Sequence, residues 1–185
     1  MKAPDATTGL TPLHEAQRIV LDAATPLGLE KISILDTLGR VLGEDIIAER
    51  HNPPWDNSAM DGFAVRAEDI QQEHTISKPV TLTVIEDVPA GKMPTKSVGR
   101  GQAIRIMTGA PIPKGADTVL KVEDTEHTPD SVRVFKPEPR GSNIRPQGED
   151  VKKGDCIIPK GTTIRSGEAG MLAILAKSFV LVYQR

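Results

Sequence analysis

The dominant feature of this sequence is a series of short apolar runs separated by turn residues, which extends from Gly62 to about Pro139. Runs with the composition of β-strands fall at residues 63–65, 80–85, 103–107, 118–122 and 131–135. The chain contains 16 glycines and 15 prolines, the residues that tight turns between short strands require. Because no helical period alternates with these strands, the pattern predicts a compact β-barrel or sandwich rather than alternating β and α units.

Both ends of the chain show helical spacing of apolar residues. Thr11 and Pro12 are predicted to be the N-cap and the first residue of a helix that stops near residues 25–26. Ser166 is predicted to cap a second helix, whose apolar face reaches Leu175. Further strands are predicted at residues 31–35, 46–48, 156–158, 162–164 and 179–183.

Two interruptions of the apolar pattern predict domain boundaries. Residues 137–146 contain three prolines and few apolar side chains, and a second boundary falls near residues 50–54. We therefore predict a mainly β fold with an α+β part, in which a β-barrel-like domain is inserted into an elongated discontinuous α+β domain. The inserted domain is predicted to span residues 52–140, and the discontinuous domain residues 1–51 and 141–185.

Composition and charge exclude several classes of protein. The formal net charge is −2 and aromatic residues make up 3% of the chain, so neither a polyanion-binding field nor a stacking surface for single-stranded nucleic acid is expected. No apolar run approaches the roughly 18 residues that span a bilayer, and residues 1–9 show no secretory signal. We therefore expect a cytoplasmic protein with no nucleic-acid or membrane partner.

Metal and thiol chemistry have little support in the sequence. One cysteine, Cys156, and four scattered histidines provide neither an internal disulfide nor a zinc-type ligand cluster. Cys156 lies beside two isoleucines with no histidine nearby, so we predict a buried structural thiol rather than a nucleophile. The adjacent acids at residues 86–87 and 123–124 are predicted to be solvent-facing strand ends.

The first motif is residues 53–65, which read Pro-Pro-Trp-Asp-Asn-Ser-Ala-Met-Asp-Gly-Phe-Ala-Val. The two prolines stiffen the backbone, and the turn formers that follow hold the Asp61 carboxylate on a short turn before a strand. From physical chemistry alone, a well-capped loop between two strands is the simpler interpretation, because Asp-Gly turns are common in β-rich proteins.

A second motif, residues 104–117, and a third, residues 143–150, carry the other candidate groups. In the second motif, Thr108 and Gly109 end a strand where backbone N–H groups could meet an anion; a plain strand-ending turn is the simpler alternative. The second motif is not a P-loop, because its glycine and lysine order is wrong and no helix follows. In the third motif, Arg145 could pair with a phosphate or carboxylate and the following acids could bind a cation; the alternative is a solvated charged turn.

In sequence and order, the three motifs resemble those of the MoeA/gephyrin-type molybdopterin molybdenumtransferases. The first motif is similar to the family pattern Pro-Pro-x-x-x-Ser-x-x-Asp-Gly-Tyr-Ala-Val, with Phe63 where tyrosine is usual. The second and third motifs are similar to Arg-Ile-x-Thr-Gly-Ala-x-x-Pro-x-Gly-Ala-Asp and Asn-x-Arg-x-x-Gly-Glu-Asp. The resemblance covers about Leu10 to Arg185 and corresponds to the N-terminal portion of such an enzyme, its first two domains.

The resemblance implies a role in molybdenum cofactor biosynthesis. Family members insert molybdenum from molybdate into adenylylated molybdopterin and release AMP with the help of a divalent cation, which we expect to be magnesium. A homodimer is implied, with molybdopterin adenylyltransferase as the pathway partner. By motif matching, the implied catalytic residues are Asp61, Thr108 and Asp150, and the implied substrate-binding residues are Ser58, Gly109, Arg145 and Glu149. No metal ligand is assigned.

Against the family pattern, the sequence stops at Arg185, ahead of the doubly wound α/β domain that carries the main pterin-binding surface. We therefore expect the chain to fold but to be inactive by itself. Two other functions stay open at this point: a scaffold or interaction module of the gephyrin type, and a stand-alone β-rich domain that binds a small molecule.

Overall fold

The computed structural model describes residues 11–71 and 78–185, and these residues form mostly strands. The mainly β fold expected from the sequence is confirmed. In chain order the elements are α1 (Leu13–Ala23), β1 (Leu29–Ser33), a 3-10 helix (Ile34–Asp36), β2 (Ile46–Ile47), β3 (Asn57–Ser58), β4 (Gly62–Val65), α2 (Ala67–Ile70), β5 (Val80–Val88), β6 (Gln102–Ile106), β7 (Thr118–Lys121), a second 3-10 helix (Val122–Asp124), β8 (Thr125–His127), β9 (Ser131–Val134), β10 (Ile144–Arg145), β11 (Cys156–Ile158), α3 (Ser166–Ile174) and β12 (Phe179–Tyr183).

By its contacts the chain divides into two compact units. The terminal unit consists of the described part of Met1–Ile46 together with Cys156–Arg185. The β unit is Ile47–Asp155. The β unit contains all three sequence motifs, so the geometry of the candidate site can be followed within this unit.

The bounds of the β unit differ from the predicted bounds of the inserted domain, 52–140. Residues 47–51 and 141–155 belong to the β unit, because the backbone before the first motif bonds to the backbone after the third. The Asn52 N–H donates to the Val151 carbonyl at 2.8 Å. The proline-containing stretch near residue 140 is therefore a turn within this unit. The insertion of a β-barrel-like domain into an elongated discontinuous α+β domain stays a prediction.

Six strands of the β unit form one sheet in the order β7-β4-β6-β5-β9-β8. All neighbouring strands are antiparallel except β5 and β6, which run parallel. Phe63 on β4 and His127 on β8 have their ring centroids 5.3 Å apart, although their strands are second and last in the sheet. The sheet must therefore curl back on itself, as twisted sheets of short strands do, which gives the predicted barrel-like form.

Two apolar clusters occupy the two faces of this sheet, because successive strand residues point to opposite sides. On β4, Phe63 and Val65 belong to one cluster and Ala64 to the other. On β6, Ala103 belongs to the first cluster and Ile104 to the second. The central strands are thus buried on both faces, which fixes the strand ends where the second motif begins.

In the terminal unit, β1 and β12 form an antiparallel pair in which Leu29 lies opposite Tyr183. The helix α1 begins one residue later than predicted, with Pro12 rather than Thr11 at the N-cap, and none of its residues is buried. Among the described helices, none is long and apolar enough to cross a membrane.

Two further predictions about strands are wrong. The strand predicted at residues 31–35 lies at Leu29–Ser33, because the Ser33 hydroxyl accepts the Leu35 N–H at 3.3 Å and starts a 3-10 turn. The strand predicted at residues 162–164 is reduced to an isolated bridge between Thr163 and Val41. Short pairings of this kind depend on a distant partner segment, which local sequence does not reveal.

Two side chains of the terminal unit also differ from prediction. Ser166 is the first helical residue of α3 rather than its cap. Arg165 holds the N-cap position, and its backbone N–H donates to the Glu168 carboxylate at 2.9 Å, one half of a capping box. Cys156, the first residue of β11, is exposed instead of buried, whereas Ile158 at the end of the same strand is buried.

Candidate functional site

The two-residue strand β3 in the first motif is bonded to the second motif. The Ser58 N–H donates to the Ala110 carbonyl at 3.0 Å, and the Gly109 N–H donates to the Ser58 carbonyl at 2.8 Å. The neighbouring Asn57 forms an antiparallel bridge with Pro111. The turn that follows β6 is therefore held directly against the first motif.

The same strand β3 also pairs with the third motif. It runs antiparallel to β10, with Ile144 opposite Ser58 and Arg145 opposite Asn57. The Gly148 N–H donates to the Pro53 carbonyl at 3.0 Å. The three motifs, which are far apart along the chain, thus meet at a single short strand.

Asp61 and Thr108 are joined by a pair of hydrogen bonds. The backbone N–H of Thr108 donates to Asp61 Oδ1 at 2.8 Å, and the Thr108 hydroxyl donates to the same oxygen at 2.7 Å. The backbone bond, then the hydroxyl bond and the positive charge of Arg105, hold the pKa of the Asp61 carboxyl below its ordinary value, against the opposing effect of desolvation. An ionised carboxylate is therefore fixed at an exposed position where the first and second motifs meet.

The two smaller predicted residues are placed differently from each other. The side chain of Ser58 is buried, and its hydroxyl donates to the Met60 carbonyl at 2.5 Å. It shapes the turn that leads to Asp61 and does not present its hydroxyl to solvent. Gly109 has a positive φ of 83°, a conformation that favours glycine, and it is exposed beside Thr108.

Arg145, Glu149 and Asp150 form one ion-paired cluster. Arg145 Nε donates to Glu149 Oε2 at 2.7 Å, and Nη2 donates to both oxygens of Asp150 at 2.8 and 3.0 Å. Hydrogen bonds from Glu149 and then Asp150, together with their charges, raise the pKa of the Arg145 guanidinium. The cluster carries one net negative charge, so Arg145 organises two acids rather than offering a bare cation to a substrate.

The described residues do not provide a complete set of ligands for a divalent metal ion. Within residues 11–71 and 78–185, no group of three or more histidine, cysteine, aspartate or glutamate side chains is arranged to hold a metal ion. Magnesium is commonly held by one or two carboxylates together with substrate phosphates and water. Both described bonds to Asp61 end on Oδ1, so its carboxylate has the chemistry to supply one such ligand through Oδ2.

Two residues that contribute to this geometry were not predicted as site residues. Asp56 Oδ1 accepts the Gln147 N–H at 2.7 Å and so ties the first motif to the third. Asn143 has a positive φ of 57°, and its side-chain amide donates to the Val119 carbonyl at 2.8 Å. The turn-forming tendency of aspartate and asparagine was visible in the sequence, but the distant groups that they bind were not.

Comparison with known proteins gives one consistent result. The family model described as "MoeA N-terminal region (domain I and II)" matches residues 11–176. The chain is 39% identical over 178 residues to the molybdopterin molybdenumtransferase of Bacillus subtilis, covering 94% of this chain and 41% of that protein. It is 42% identical over 140 residues to the enzyme of the same name from Synechococcus elongatus, covering 75% of this chain and 34% of that protein.

Two solved structures that resemble this chain are also moeA proteins. The crystal structure of the molybdopterin biosynthesis moeA protein from Pyrococcus horikoshii OT3 matches with a TM-score of 0.86 and 42% sequence identity. The match covers 94% of this chain and 46% of that chain. A second structure of a moeA protein from the same organism matches with a TM-score of 0.82 and 34% identity, covering 95% of this chain and 44% of that chain.

The family match over residues 11–176 includes the mainly β unit and all three of the motifs that meet at β3. The chain belongs to the MoeA N-terminal region family. It spans about two fifths of the length of curated relatives such as the Bacillus subtilis enzyme.

Proposed function

We propose that this chain forms part of a site that inserts molybdenum from molybdate into adenylylated molybdopterin and releases AMP. The observation that carries the proposal is the meeting of the three motifs at β3, which places an ionised Asp61 on Thr108 and a clustered acid pair on Arg145. The names of the relatives, molybdopterin molybdenumtransferase, support the same reaction.

In this proposal Asp61 is the principal catalytic carboxylate. Its lowered pKa keeps it ionised at neutral pH, where it can bind a divalent cation or accept a proton. Thr108 holds the carboxylate in position through two hydrogen bonds, and Gly109 lets the backbone turn there without a side chain. Ser58 contributes indirectly: its hydroxyl bonds to the Met60 carbonyl and fixes the turn before Asp61.

The Arg145 cluster is proposed to act as a positioned acidic group. Asp150 shares both its oxygens with Arg145, while Glu149 shares one, so Asp150 is the more firmly oriented acid. Magnesium bound between such carboxylates and a polyanionic substrate would reduce their mutual repulsion. Direct binding of substrate by Arg145 would require one of these ion pairs to open.

The remaining parts of the proposal concern assembly and setting. We propose that the protein acts as a homodimer in the cytoplasm and receives its adenylylated substrate from a molybdopterin adenylyltransferase. The chain alone is expected to be inactive, because it spans less than half of the relatives that carry the enzyme's name.

The decisive experiment is molybdate-dependent release of AMP from adenylylated molybdopterin. It should be run on this chain and on a longer form that restores the length of the relatives, with and without magnesium. We expect release by the longer form only, and a loss of release when magnesium is chelated. If the longer form binds the substrate but releases no AMP, the insertion function is wrong and a scaffold or binding role replaces it.

A further inference from the structure

A cleft in the β unit lies beside the candidate site, next to the first and second motifs. Its volume is about 640 Å³, within the range of roughly 300–1,000 Å³ typical of small-molecule sites. Its walls are residues 93–97 and 111–116, and Trp55, Asp56 and Gln147 complete the lining. None of the seven site residues predicted from the sequence lines it.

The wall formed by residues 93–97 is fixed in place by Glu86. This carboxylate accepts the Thr95 N–H at 3.1 Å, the Thr95 hydroxyl at 2.8 Å and the Lys96 N–H at 2.9 Å. Desolvation would raise the pKa of Glu86, but these hydrogen bonds lower it overall. The sequence-based prediction of a solvent-facing strand end is therefore wrong for Glu86, which lies within β5 and anchors the neighbouring segment.

The residue that follows the first wall, Val98, is also bonded to the second wall. The Val98 N–H donates to the Lys114 carbonyl at 2.8 Å. A Cβ added to Gly115 would lie 2.2 Å from the Val98 carbonyl oxygen, so only glycine permits this close approach. At the other end, Asp56 and Gln147 are joined by the 2.7 Å bond that ties the first motif to the third. The cleft is therefore preformed by bonds that link its walls to their surroundings.

The lining combines one flat aromatic side chain with an excess of positive charge. Trp55 is the one tryptophan of the chain and is 43% exposed. Lys96 and Lys114 line the cleft, and Lys96 Nζ donates to the neutral Ile85 carbonyl, so its charge is not cancelled there. Asp56 is the single acid in this lining, and its Oδ1 already accepts a backbone N–H.

We propose that this cleft binds a planar heteroaromatic ring that carries a phosphate or carboxylate group. The ring would stack on Trp55, and the anionic group would pair with Lys114, which is exposed on the cleft wall. A nucleotide and a pterin share this chemistry, and both belong to the substrate class of the proposed function. The identity of the natural ligand therefore rests on that function, whereas the binding is tested without it.

The single tryptophan makes the binding test direct. Intrinsic fluorescence of the chain should be titrated with AMP, adenosine and ribose 5-phosphate, and binding of pterin-6-carboxylate should be followed by calorimetry. We expect saturable binding of AMP or of the pterin, and at least tenfold weaker binding of adenosine and ribose 5-phosphate, which each lack one of the two groups. The tighter of the two complete ligands identifies the source of the ring.

Variants separate the cleft from general effects of charge. Lys114→Gln should weaken binding about tenfold, whereas Lys136→Gln, an exposed lysine of the β unit outside this cleft, should change it less than twofold. Trp55→Phe should retain most of the calorimetric affinity and Trp55→Ala should lose it, with circular dichroism confirming that both variants are folded. Trp55→Phe keeps the proposal testable if the alanine variant unfolds.

Three outcomes would overturn the proposal: no saturable binding of AMP or the pterin, equal binding of ribose 5-phosphate, or equal effects of the two lysine changes. These results would leave the insertion function intact, because that function is measured as AMP release by the longer form. Conversely, binding in the cleft without molybdenum insertion would overturn the proposed function alone.

Discussion

The β unit and the helix α1 of the terminal unit bury their apolar side chains to very different extents. In the β unit, large residues such as Phe63 and Ile104 are fully buried within the clusters on the two faces of the sheet. In the terminal unit, α1 contains no buried residue, and Leu13 and Val20 are 85% and 68% exposed. The β unit thus has its own core, whereas α1 presents an apolar surface of the kind that associates with another molecule.

Because of this difference, substitutions in the two regions should have different effects, one on activity and the other on self-association. In the β unit the core is insulated from the exposed site, so polar substitutions there should change activity with little change in stability. In the terminal unit, substitutions on α1 should change the self-association of the protein, with little change in activity or stability. The predictions below test this separation, beginning with the largest expected effect.

Replacement of the Asp61 carboxylate should have the largest effect. Asp61→Asn keeps an oxygen that can accept both hydrogen bonds from Thr108, but it removes the negative charge. We expect AMP release by the longer form to fall about a hundredfold or more, while the melting temperature changes by only a few degrees. Steady-state kinetics and thermal unfolding measure the two quantities.

Thr108→Val provides the matched control for this change. It removes the hydroxyl but keeps the backbone N–H that donates to Asp61, so activity should fall less than in Asp61→Asn. A stable Asp61→Asn enzyme with full activity would remove Asp61 from the catalytic site and reduce it to a turn residue.

The acid pair of the third motif should give a smaller effect. Asp150→Ala is expected to lower insertion on the order of tenfold, and Glu149→Ala only a few-fold, because Asp150 is held by two hydrogen bonds from Arg145 and Glu149 by one. Both variants of the isolated chain should melt within a few degrees of the parent, since exposed charges contribute little to stability.

The backbone makes this second prediction sharper. The Asp150 N–H donates to the Asn52 carbonyl at 3.0 Å, and an alanine at residue 150 retains that bond. If Asp150→Ala nevertheless unfolds the chain, the carboxylate has a structural role and its catalytic assignment should be withdrawn. Kinetics and melting curves on the same preparations distinguish the two results.

Local sequence was sufficient for much of the β unit. The strands at β4, β6, β7 and β9 follow from apolar runs bounded by turn residues, and these runs depend on the chain's own neighbours. The end of this unit was not predicted, because it depends on a bond between Asn52 and Val151, which are far apart in sequence. Prolines near residue 140 indicated a turn but could not show that the chain continues within the same unit.

The candidate site shows the same limit at the level of side chains. Motif resemblance singled out Asp61 and Thr108 separately, but only the fold shows that they share two hydrogen bonds. It also gave Arg145 a substrate-binding role without revealing that two acids occupy its guanidinium. Glu86 was predicted to be a solvent-facing strand end because adjacent acids are common on surfaces, and its bonding partners lie on another segment.

The exposed face of α1 should govern self-association. Val20→Glu places a charge on the apolar face of α1 and should raise the dimer dissociation constant about tenfold or more, without lowering the melting temperature. Leu35→Glu is the matched control, because Leu35 is 86% exposed in the same unit but lies in the 3-10 turn. Sedimentation velocity would detect the change, and a strictly monomeric parent at high concentration would contradict the prediction.

The smallest expected effect is the pH dependence of the bond between Asp61 and Thr108. The pKa of Asp61 is lowered in the folded chain, chiefly by the backbone bond and then by the hydroxyl bond from Thr108. A carboxyl with a lowered pKa stabilises the folded state at pH values above its pKa in the unfolded chain, about 3.9. This stabilisation is lost as the pH falls through the pKa of the folded state. The Thr108 amide resonance should therefore shift only below about pH 4. Asp61→Asn should abolish the shift, and Thr108→Val should move its midpoint partway back toward the ordinary aspartate value, because the backbone N–H of residue 108 still donates to the carboxylate. If Thr108→Val restores the ordinary midpoint completely, the hydroxyl rather than the backbone N–H fixes the carboxylate, and the rigid turn at Gly109 is less important to the site than its geometry indicates.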